Sequence, residues 1–171
     1  LLTALSVDGG AAITTNTWYQ HATPHFAWSG ADDGSGAGVY GYYVYFGTDN
    51  TADPLTAGSL QEASTFSASG LTSGQTYYLR IKARDNAANT NGTTWEAFTY
   101  KFDNAGPTNP TAITVNPAGY APTNSFTFSW PAAVDSGSGI AGYQYKTATE
   151  SGALADWSDT TTDTSIAIEN A

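Results

Sequence analysis

Alternation of apolar and polar residues, with the period of a β-strand, is the main pattern along this chain. Residues 76–84 carry Tyr77, Leu79, Ile81 and Ala83 on one face and Tyr78, Arg80, Lys82 and Arg84 on the other. This predicts a half-buried strand with one wet face. Phe126, Phe128 and Trp130 show the same period, and no segment longer than a turn or two reads as helix. The chain is therefore predicted to be all-β.

Clusters of turn-forming residues separate the predicted strands. Gly, Asn, Asp and Pro concentrate at residues 34–38, 49–54, 73–74, 85–92 and 103–110. Many short strands with glycine-rich turns are typical of antiparallel β-sandwiches.

The chain contains one long internal repeat. Residues 26–45 resemble residues 128–146, and Trp28 lies 102 positions before Trp130. A period of this length is a whole domain. We predict one sandwich over residues 1–105 and a second of the same type, lacking its last strands, over residues 106–171, with residues 103–110 as the linker. Either the chain is cut short at this point, which we favour, or another chain supplies the strands.

Residues 71–85, LTSGQTYYLRIKARD, resemble the tyrosine corner of fibronectin type III domains, with Leu71 six residues before Tyr77 and Gly74 between them. The resemblance implies that the Tyr77 hydroxyl bonds back to the turn before its strand. YYVYFGTD, ARDNAANTN and GPTNP are similar to segments of bacterial immunoglobulin-like repeats. Together these segments imply tandem fibronectin type III-like or immunoglobulin-like repeats of a prokaryotic surface protein.

The charge and composition limit the classes of partner that the chain can bind. The net charge is −10, and only five of the 171 residues are Lys or Arg. A clustered basic face cannot be built from so few cations, which argues against binding to nucleic acid or to an anionic membrane. The absence of cysteine excludes disulfides and thiolate metal sites. No run approaches the length of a membrane span, and the polar, lysine-poor surface favours an extracellular or cell-surface location.

Acidic loops are the candidate metal sites. The loop after the Trp28 strand and the loop between the last two strands are expected at one end of the sandwich, which would bring together Asp32, Asp33, Asp85, Asn86 and Asn89. Converging hard oxygen ligands are what calcium requires. The alternative, which we favour, is that these residues only form tight turns. An analogous site at the domain junction would use Asp103, Asn104 and Asp135.

Aromatic residues suggest a different ligand. Tyr40, Tyr42, Tyr43, Tyr45 and Phe46 cannot all point inward from one strand. Exposed rings could bind surface glycans, with contributions from Trp18, Tyr19, Trp95 and Tyr100. Core filling and domain contacts explain the same rings more simply.

Catalytic signatures are weak. His21 and His25 precede a strand without a nucleophile motif or metal-ligand spacing. Lys82 is expected on the wet face, which argues against a cross-link from it in the core. We therefore predict a non-catalytic spacer or adhesive repeat of a large surface protein, stiffened by calcium if the acidic loops bind it, whose partners are adjacent repeats or further copies. The alternative is a carbohydrate-binding or accessory module of a secreted hydrolase.

Overall fold

The structure is a computed structural model that describes residues 2–6, 12–120, 122, 125–148 and 155–169. The chain divides into two compact units between Ala105 and Gly106. Within these ranges, nearly all regular structure is β-strand and the only α-helix is one turn long, so the all-β prediction is confirmed. None of the helical segments within these ranges is long and apolar enough to cross a membrane.

Among its described residues, the first unit contains eight strands and one short helix. The strands are β1 (Leu2–Ser6), β2 (Thr17–Tyr19), β3 (His25–Trp28), β4 (Val39–Gly47), β5 (Ser59–Gln61), β6 (Thr65–Ser67), β7 (Gln75–Asp85) and β8 (Trp95–Phe102), and helix α1 (Pro54–Ala57) lies between β4 and β5. Strands β1, β3 and β6 form one sheet in that order, and β2, β8, β7, β4 and β5 form the other. All neighbouring strands pair antiparallel except β2 and β8, which are parallel.

Aromatic rings fill the space between the two sheets. Phe26 on β3 is completely buried, and its ring centroid lies 5.4 Å from that of Phe98 on β8. Leu79 and Ile81 on β7 belong to the same core, so the apolar face predicted for residues 76–84 is confirmed. Trp28 closes one end of the core, where its indole lies edge-to-face with Tyr42 at 5.5 Å. The sheets therefore face each other across a single aromatic core.

Tyr77 joins its strand to the turn that precedes it. Its hydroxyl accepts a hydrogen bond from the backbone N–H of Thr72 at 2.7 Å. Its ring stacks on Phe46 with a centroid distance of 5.4 Å and nearly parallel planes. The Tyr77 ring thus fills the core, and its hydroxyl accepts a hydrogen bond from the turn. The hydrogen bond is the contact that the pattern of residues 71–77 led us to expect.

The prediction that Lys82 lies on a wet face is wrong. Lys82 is only 8% exposed, and its ammonium donates a hydrogen bond to Asp53 Oδ2 at 2.9 Å. Arg80, on the same face, donates from Nε to the carbonyl oxygen of Ala52. The segment that contains α1 crosses this side of the sheet and covers it. Asp53 also caps α1 by accepting from the N–H of Leu55, with Pro54 in the first turn.

The second unit contains three strands among its described residues: β9 (Thr114–Asn116), β10 (Ser125–Ser129) and β11 (Ser165–Glu169). They form one antiparallel sheet with β10 in the middle. Phe128 pairs with Ile166 in this sheet, as Phe26 pairs with Phe66 in the first unit. Trp130 lies edge-to-face with Tyr143 at 5.7 Å, so the aromatic pair also repeats.

Substitution of Tyr77 by Phe should destabilise the first unit by about 1 kcal/mol, because the Thr72 N–H loses its acceptor while the ring packing is kept. The measurement is urea unfolding followed by tryptophan fluorescence. Tyr78→Phe is the matched control, since it removes a hydroxyl from the adjacent residue on the opposite face. Equal losses of stability in the two variants would contradict the role assigned to the Tyr77 hydroxyl.

Acid should weaken the contact between Lys82 and Asp53. The hydrogen bond from Lys82, followed by that from the Leu55 N–H, holds the pKa of Asp53 below its ordinary value of 3.8. A carboxylate whose pKa is lower in the folded state contributes stability above its unfolded pKa and loses that contribution as the pH falls. Below about pH 4, the free energy of unfolding should therefore fall less steeply for Asp53→Asn than for the unsubstituted chain.

Lys82→Met serves as the control for this pH dependence, because it removes the hydrogen bond but leaves the Asp53 carboxyl in place. The free energy of unfolding of this variant should also fall less steeply below about pH 4 than that of the unsubstituted chain. Chemical denaturation at a series of pH values between neutral and strongly acidic conditions measures the effect. Superimposable slopes in all three proteins would show that the contact does not contribute.

Candidate functional site

Two loops at one end of the first unit border an open cavity. Residues 29–38 connect β3 to β4, and residues 86–94 connect β7 to β8. The cavity has a volume of about 430 Å³. The aromatic part of the cavity wall is formed by Trp28, Tyr42 and Trp95. The polar residues that line the cavity include Asp32, Asp33, Asp85 and Asn89. The structure thus brings four of the five predicted calcium ligands around one space.

Asn86, the fifth predicted ligand, has a different role. Its side-chain amide donates hydrogen bonds to the carbonyl oxygens of Ala37 and Gly38, at 2.9 and 3.0 Å. Its backbone N–H also donates to the Gly38 carbonyl oxygen, at 2.9 Å. Three donated bonds therefore tie the second loop to the first. This contact joins residues that are 48 positions apart in the sequence. An asparagine in a turn-rich segment does not indicate such a contact, so the sequence could not predict it.

The carboxylates of the first loop bond to the backbone of that loop. Asp32 Oδ1 accepts from the N–H of Gly34 at 2.8 Å, and Asp33 Oδ2 accepts from the N–H of Gly38 at 3.0 Å. The Asp33 carboxylate folds over Gly36, where a Cβ atom would lie only 2.2 Å from Oδ2. A glycine is therefore required at position 36 for this conformation. The contacts are those of turn-forming aspartates.

Asp85 is engaged in the same way in the second loop. Its two carboxylate oxygens accept from the Asn89 backbone N–H at 2.7 Å and from the Asn89 side-chain amide at 2.8 Å. The side-chain hydrogen bond is the largest cause that lowers the pKa of Asp85 below 3.8. Ala88 adopts a left-handed conformation with φ of 71° at the tip of this turn. Asp85 is thus a charged acceptor that closes the loop on itself.

Calcium at these loops stays a prediction. A calcium ion takes about six to eight oxygen ligands, whereas these aspartates already accept hydrogen bonds from their own loops. Among the described residues, no group of three or more His, Cys, Asp or Glu side chains is placed to hold a metal ion. The loops therefore converge as expected, and their hydrogen bonding is that of the alternative we favoured from the sequence.

The residues of the predicted junction site belong to different units. In the first unit, Asp103 is 8% exposed and accepts from the Ser73 hydroxyl at 2.8 Å, and the N–H of Asn104 donates to the same hydroxyl oxygen. In the second unit, Asp135 Oδ1 accepts from the N–H groups of Gly137 and Gly139, at 3.0 and 2.8 Å. Each aspartate is bonded within its own unit, and metal binding at this position stays a prediction.

The candidate aromatic residues are divided between the core and the surface. Tyr100 is fully buried, stacks on Tyr19 at 5.5 Å and donates its hydroxyl to the carbonyl oxygen of His21 at 2.6 Å. Tyr40 is 40% exposed and lies under the guanidinium of Arg84 at 5.1 Å. Trp18 similarly lies beneath the ammonium of Lys101 at 5.7 Å. Glycan binding by any of these rings stays a prediction.

The loop-end cavity is the site that the geometry supports best, and comparison with known proteins adds no ligand to it. Comparisons with protein-family models and with curated protein sequences found no match to this chain. The chemistry of the site consists of an aromatic wall and carboxylates bonded to turns.

Calcium should leave the thermal unfolding temperature of the first unit unchanged, because Asp33 and Asp85 are already used by their own loops. The measurement is thermal unfolding with millimolar calcium and with excess chelator, since a ligand that binds only the folded state must raise its stability. Asp33→Asn is the matched variant. A calcium-dependent rise of several degrees that this variant abolishes would establish the predicted calcium site instead.

Proposed function

We propose that the chain is a pair of fibronectin type III-like or immunoglobulin-like modules that act as a non-catalytic spacer or adhesive repeat of a prokaryotic extracellular or cell-surface protein. The strand arrangement supports the family. Lettered in immunoglobulin style, β1, β3 and β6 correspond to strands A, B and E of one sheet. Strands β4, β5, β7 and β8 correspond to C, C′, F and G of the other. The contact between Tyr77 and the Thr72 N–H supports it further.

The observation that carries the spacer function is the parallel pairing of β2 with β8. Thr17, Trp18 and Tyr19 pair with Tyr100, Lys101 and Phe102. The Asn16 N–H donates to the carbonyl oxygen of Thr99 at 2.8 Å, and the Asp103 N–H donates to that of Tyr19 at 2.9 Å. These hydrogen bonds join β2, the second strand of the first unit, directly to β8, the last of its described strands.

Parallel pairing of β2 with β8 has a mechanical consequence. Tension applied between the start of β2 and the end of β8 pulls these two points in opposite directions. Because the two strands run the same way, these points lie at opposite ends of the strand pair. The force therefore shears the paired backbone, and the hydrogen bonds share the load instead of opening one after another. A module that holds two parts of a surface protein apart under tension benefits from this arrangement.

The composition is consistent with such a role outside the cell. Charged residues make up only 12% of the chain, cysteine is absent, and the net charge of −10 opposes nonspecific association with other anionic surfaces. The hydrogen-bonded acidic turns at the loop end provide a rigid polar surface. Adhesion would use that surface, whereas the spacer function needs only the two facing sheets and the parallel strand pair.

Force spectroscopy tests the spacer proposal, and the absence of native cysteine allows handles to be placed freely. Handles at Ala12→Cys and Asn104→Cys load the β2–β8 pair in shear. Handles at Gln20→Cys and Asn104→Cys pull on the same end of the pair and peel it open. Since forced unfolding reports the unfolding rate under load, we expect the shear geometry to require roughly twice the force of the peeling geometry.

Thermal unfolding of the two double variants is the control, because both should match the unsubstituted chain if the handles leave the fold intact. Equal unfolding forces in the two geometries would remove the mechanical argument for the spacer. Such a result would leave the strand arrangement, and with it the proposed family, unaffected.

A further inference from the structure

Asn91 and Gly92, in the loop between β7 and β8, form the only asparagine-glycine pair in the sequence. Both residues are exposed, and a Cβ atom on Gly92 would meet no heavy atom within 4 Å apart from those of its neighbours in the chain. An asparagine amide reacts with the backbone nitrogen of the next residue, and a side chain on that next residue hinders the approach. Because glycine has no Cβ, this pair is the least hindered of its kind in the chain.

The backbone nitrogen of Gly92 is available for this reaction. Its N–H donates no hydrogen bond to another described residue. The nitrogen must lose its proton before it attacks, and hydrogen-bonded N–H groups are protected from proton loss. After Asn104, by contrast, the N–H of Ala105 donates to a serine hydroxyl at 3.1 Å and to a carboxylate at 3.2 Å. Asn109 and Asn116 precede prolines, which have no N–H.

The side chain of Asn91 is folded toward the residues that follow it. Its Nδ2 donates a hydrogen bond to the carbonyl oxygen of Thr93 at 2.8 Å, so the side chain reaches past Gly92 instead of extending into solvent. The backbone N–H of Asn91 donates to the carbonyl oxygen of Ala83 on β7 at 3.3 Å. Both bonds restrain the amide close to the nitrogen that attacks it, which lowers the entropic cost of ring closure.

We propose that Asn91 and Gly92 form a self-modification site, at which the chain deamidates without an enzyme. The Gly92 nitrogen gives up its proton and bonds to Asn91 Cγ, the bond between Cγ and Nδ2 breaks, and Nδ2 leaves as ammonia. Water then opens the succinimide ring. Attack of water at Cγ leaves an aspartate at position 91, whereas attack at the backbone carbonyl carbon leaves an isoaspartate, whose main chain runs through Cγ.

The product changes the charge of the candidate site. Asn91 lines the same cavity as Asp32, Asp33 and Asp85, so each conversion adds a carboxylate beside three others. Asp33 and Asp85 accept hydrogen bonds within their own loops, but the new carboxylate would meet the Thr93 carbonyl oxygen, to which the amide had donated. The loop should therefore loosen. The inference does not depend on the function proposed above, although the altered surface is the one assigned there to adhesion.

The test incubates the full chain in mildly alkaline buffer, which favours loss of the Gly92 proton, and samples it over time. Peptide mass mapping detects the exchange of an amide for a carboxyl group, and labelling by an isoaspartyl methyltransferase detects the rearranged chain. We expect the product to appear at position 91 before any other asparagine is converted. Ion-exchange chromatography should show a more anionic species that grows at the same rate.

Gly92→Ala is the matched variant. The added Cβ has space, and Gly92 does not have a positive φ, so the fold and the Asn91 side chain should be kept. Thermal unfolding at the temperature of the unsubstituted chain verifies this. Because the methyl group hinders the attack, the product at position 91 should fall to the background level of the other asparagines.

A second pair of variants tests the loosening of the loop. Asn91→Ala and Asn91→Asp both lose the bond to Thr93, but only the second adds the charge. Hydrogen exchange of the Asp85 amide, which donates to the Asn89 carbonyl oxygen at 3.0 Å, reports on closure of the loop. We expect faster exchange in Asn91→Asp than in Asn91→Ala, with a difference that shrinks at high salt.

Absence of product at position 91 in the unsubstituted chain, or equal accumulation in Gly92→Ala, would overturn the modification site. Conversion of another asparagine first would overturn it as well. Equal exchange of the Asp85 amide in the two variants would overturn only the predicted effect on the loop.

Discussion

Packing around Phe26 is the interaction on which the first unit depends. This fully buried ring on β3 lies 5.6 Å from Phe46 on β4 and 5.4 Å from Phe98 on β8, so one side chain of the small sheet contacts two strands of the large one. Aromatic pairs in such tilted arrangements add to the free energy of apolar burial. The position of the two loops at the cavity follows, because one connects β3 to β4 and the other connects β7 to β8.

The loop end shows how a rigid core fixes a polar surface. Trp28 and Tyr42 continue the aromatic core toward the cavity, and Asn86 then bonds one loop to the other. Asp33 and Asp85 satisfy backbone or side-chain donors in their own loops. A surface built in this way loses little conformational entropy when it meets a partner. In the function proposed above, this property would serve adhesion.

The sequence predicted the strands well because their side-chain alternation is a local property. It placed Leu79 and Ile81 in the core and linked Tyr77 to the preceding turn. The prediction that Lys82 is exposed to solvent was wrong. Side-chain alternation with a period of two assigns a residue to one face of a strand but does not show whether another segment covers that face. The cover comes from residues 50–57, whose turn-rich sequence gave no sign that they would cross the sheet.

The candidate site was predicted to a similar extent and for similar reasons. The loop after β3 and the loop after β7 lie at the same end of the fold. Asp32 and Asp33 therefore lie near Asp85, around one cavity. The hydrogen bonds between Asn86 and the first loop were missed, since they join residues that are distant in sequence and depend on the final spacing of the loops. The expected strand order therefore predicts which loops meet but not which of their residues form hydrogen bonds with each other.

A comparison of the two units shows which turns depend mainly on residues that are close in sequence. Asp33 accepts from the Gly38 N–H in the first unit, and Asp135 accepts from the Gly139 N–H at the repeated position in the second. The bond spans five residues in the first unit and four in the second, and it forms although the second unit has no fully buried hydrophobic residue among those described. The Asp and Gly residues themselves therefore contribute to closing these turns. An aspartate that is required to form its own turn has a sufficient structural reason to be there, so its charge alone is no argument for a bound metal.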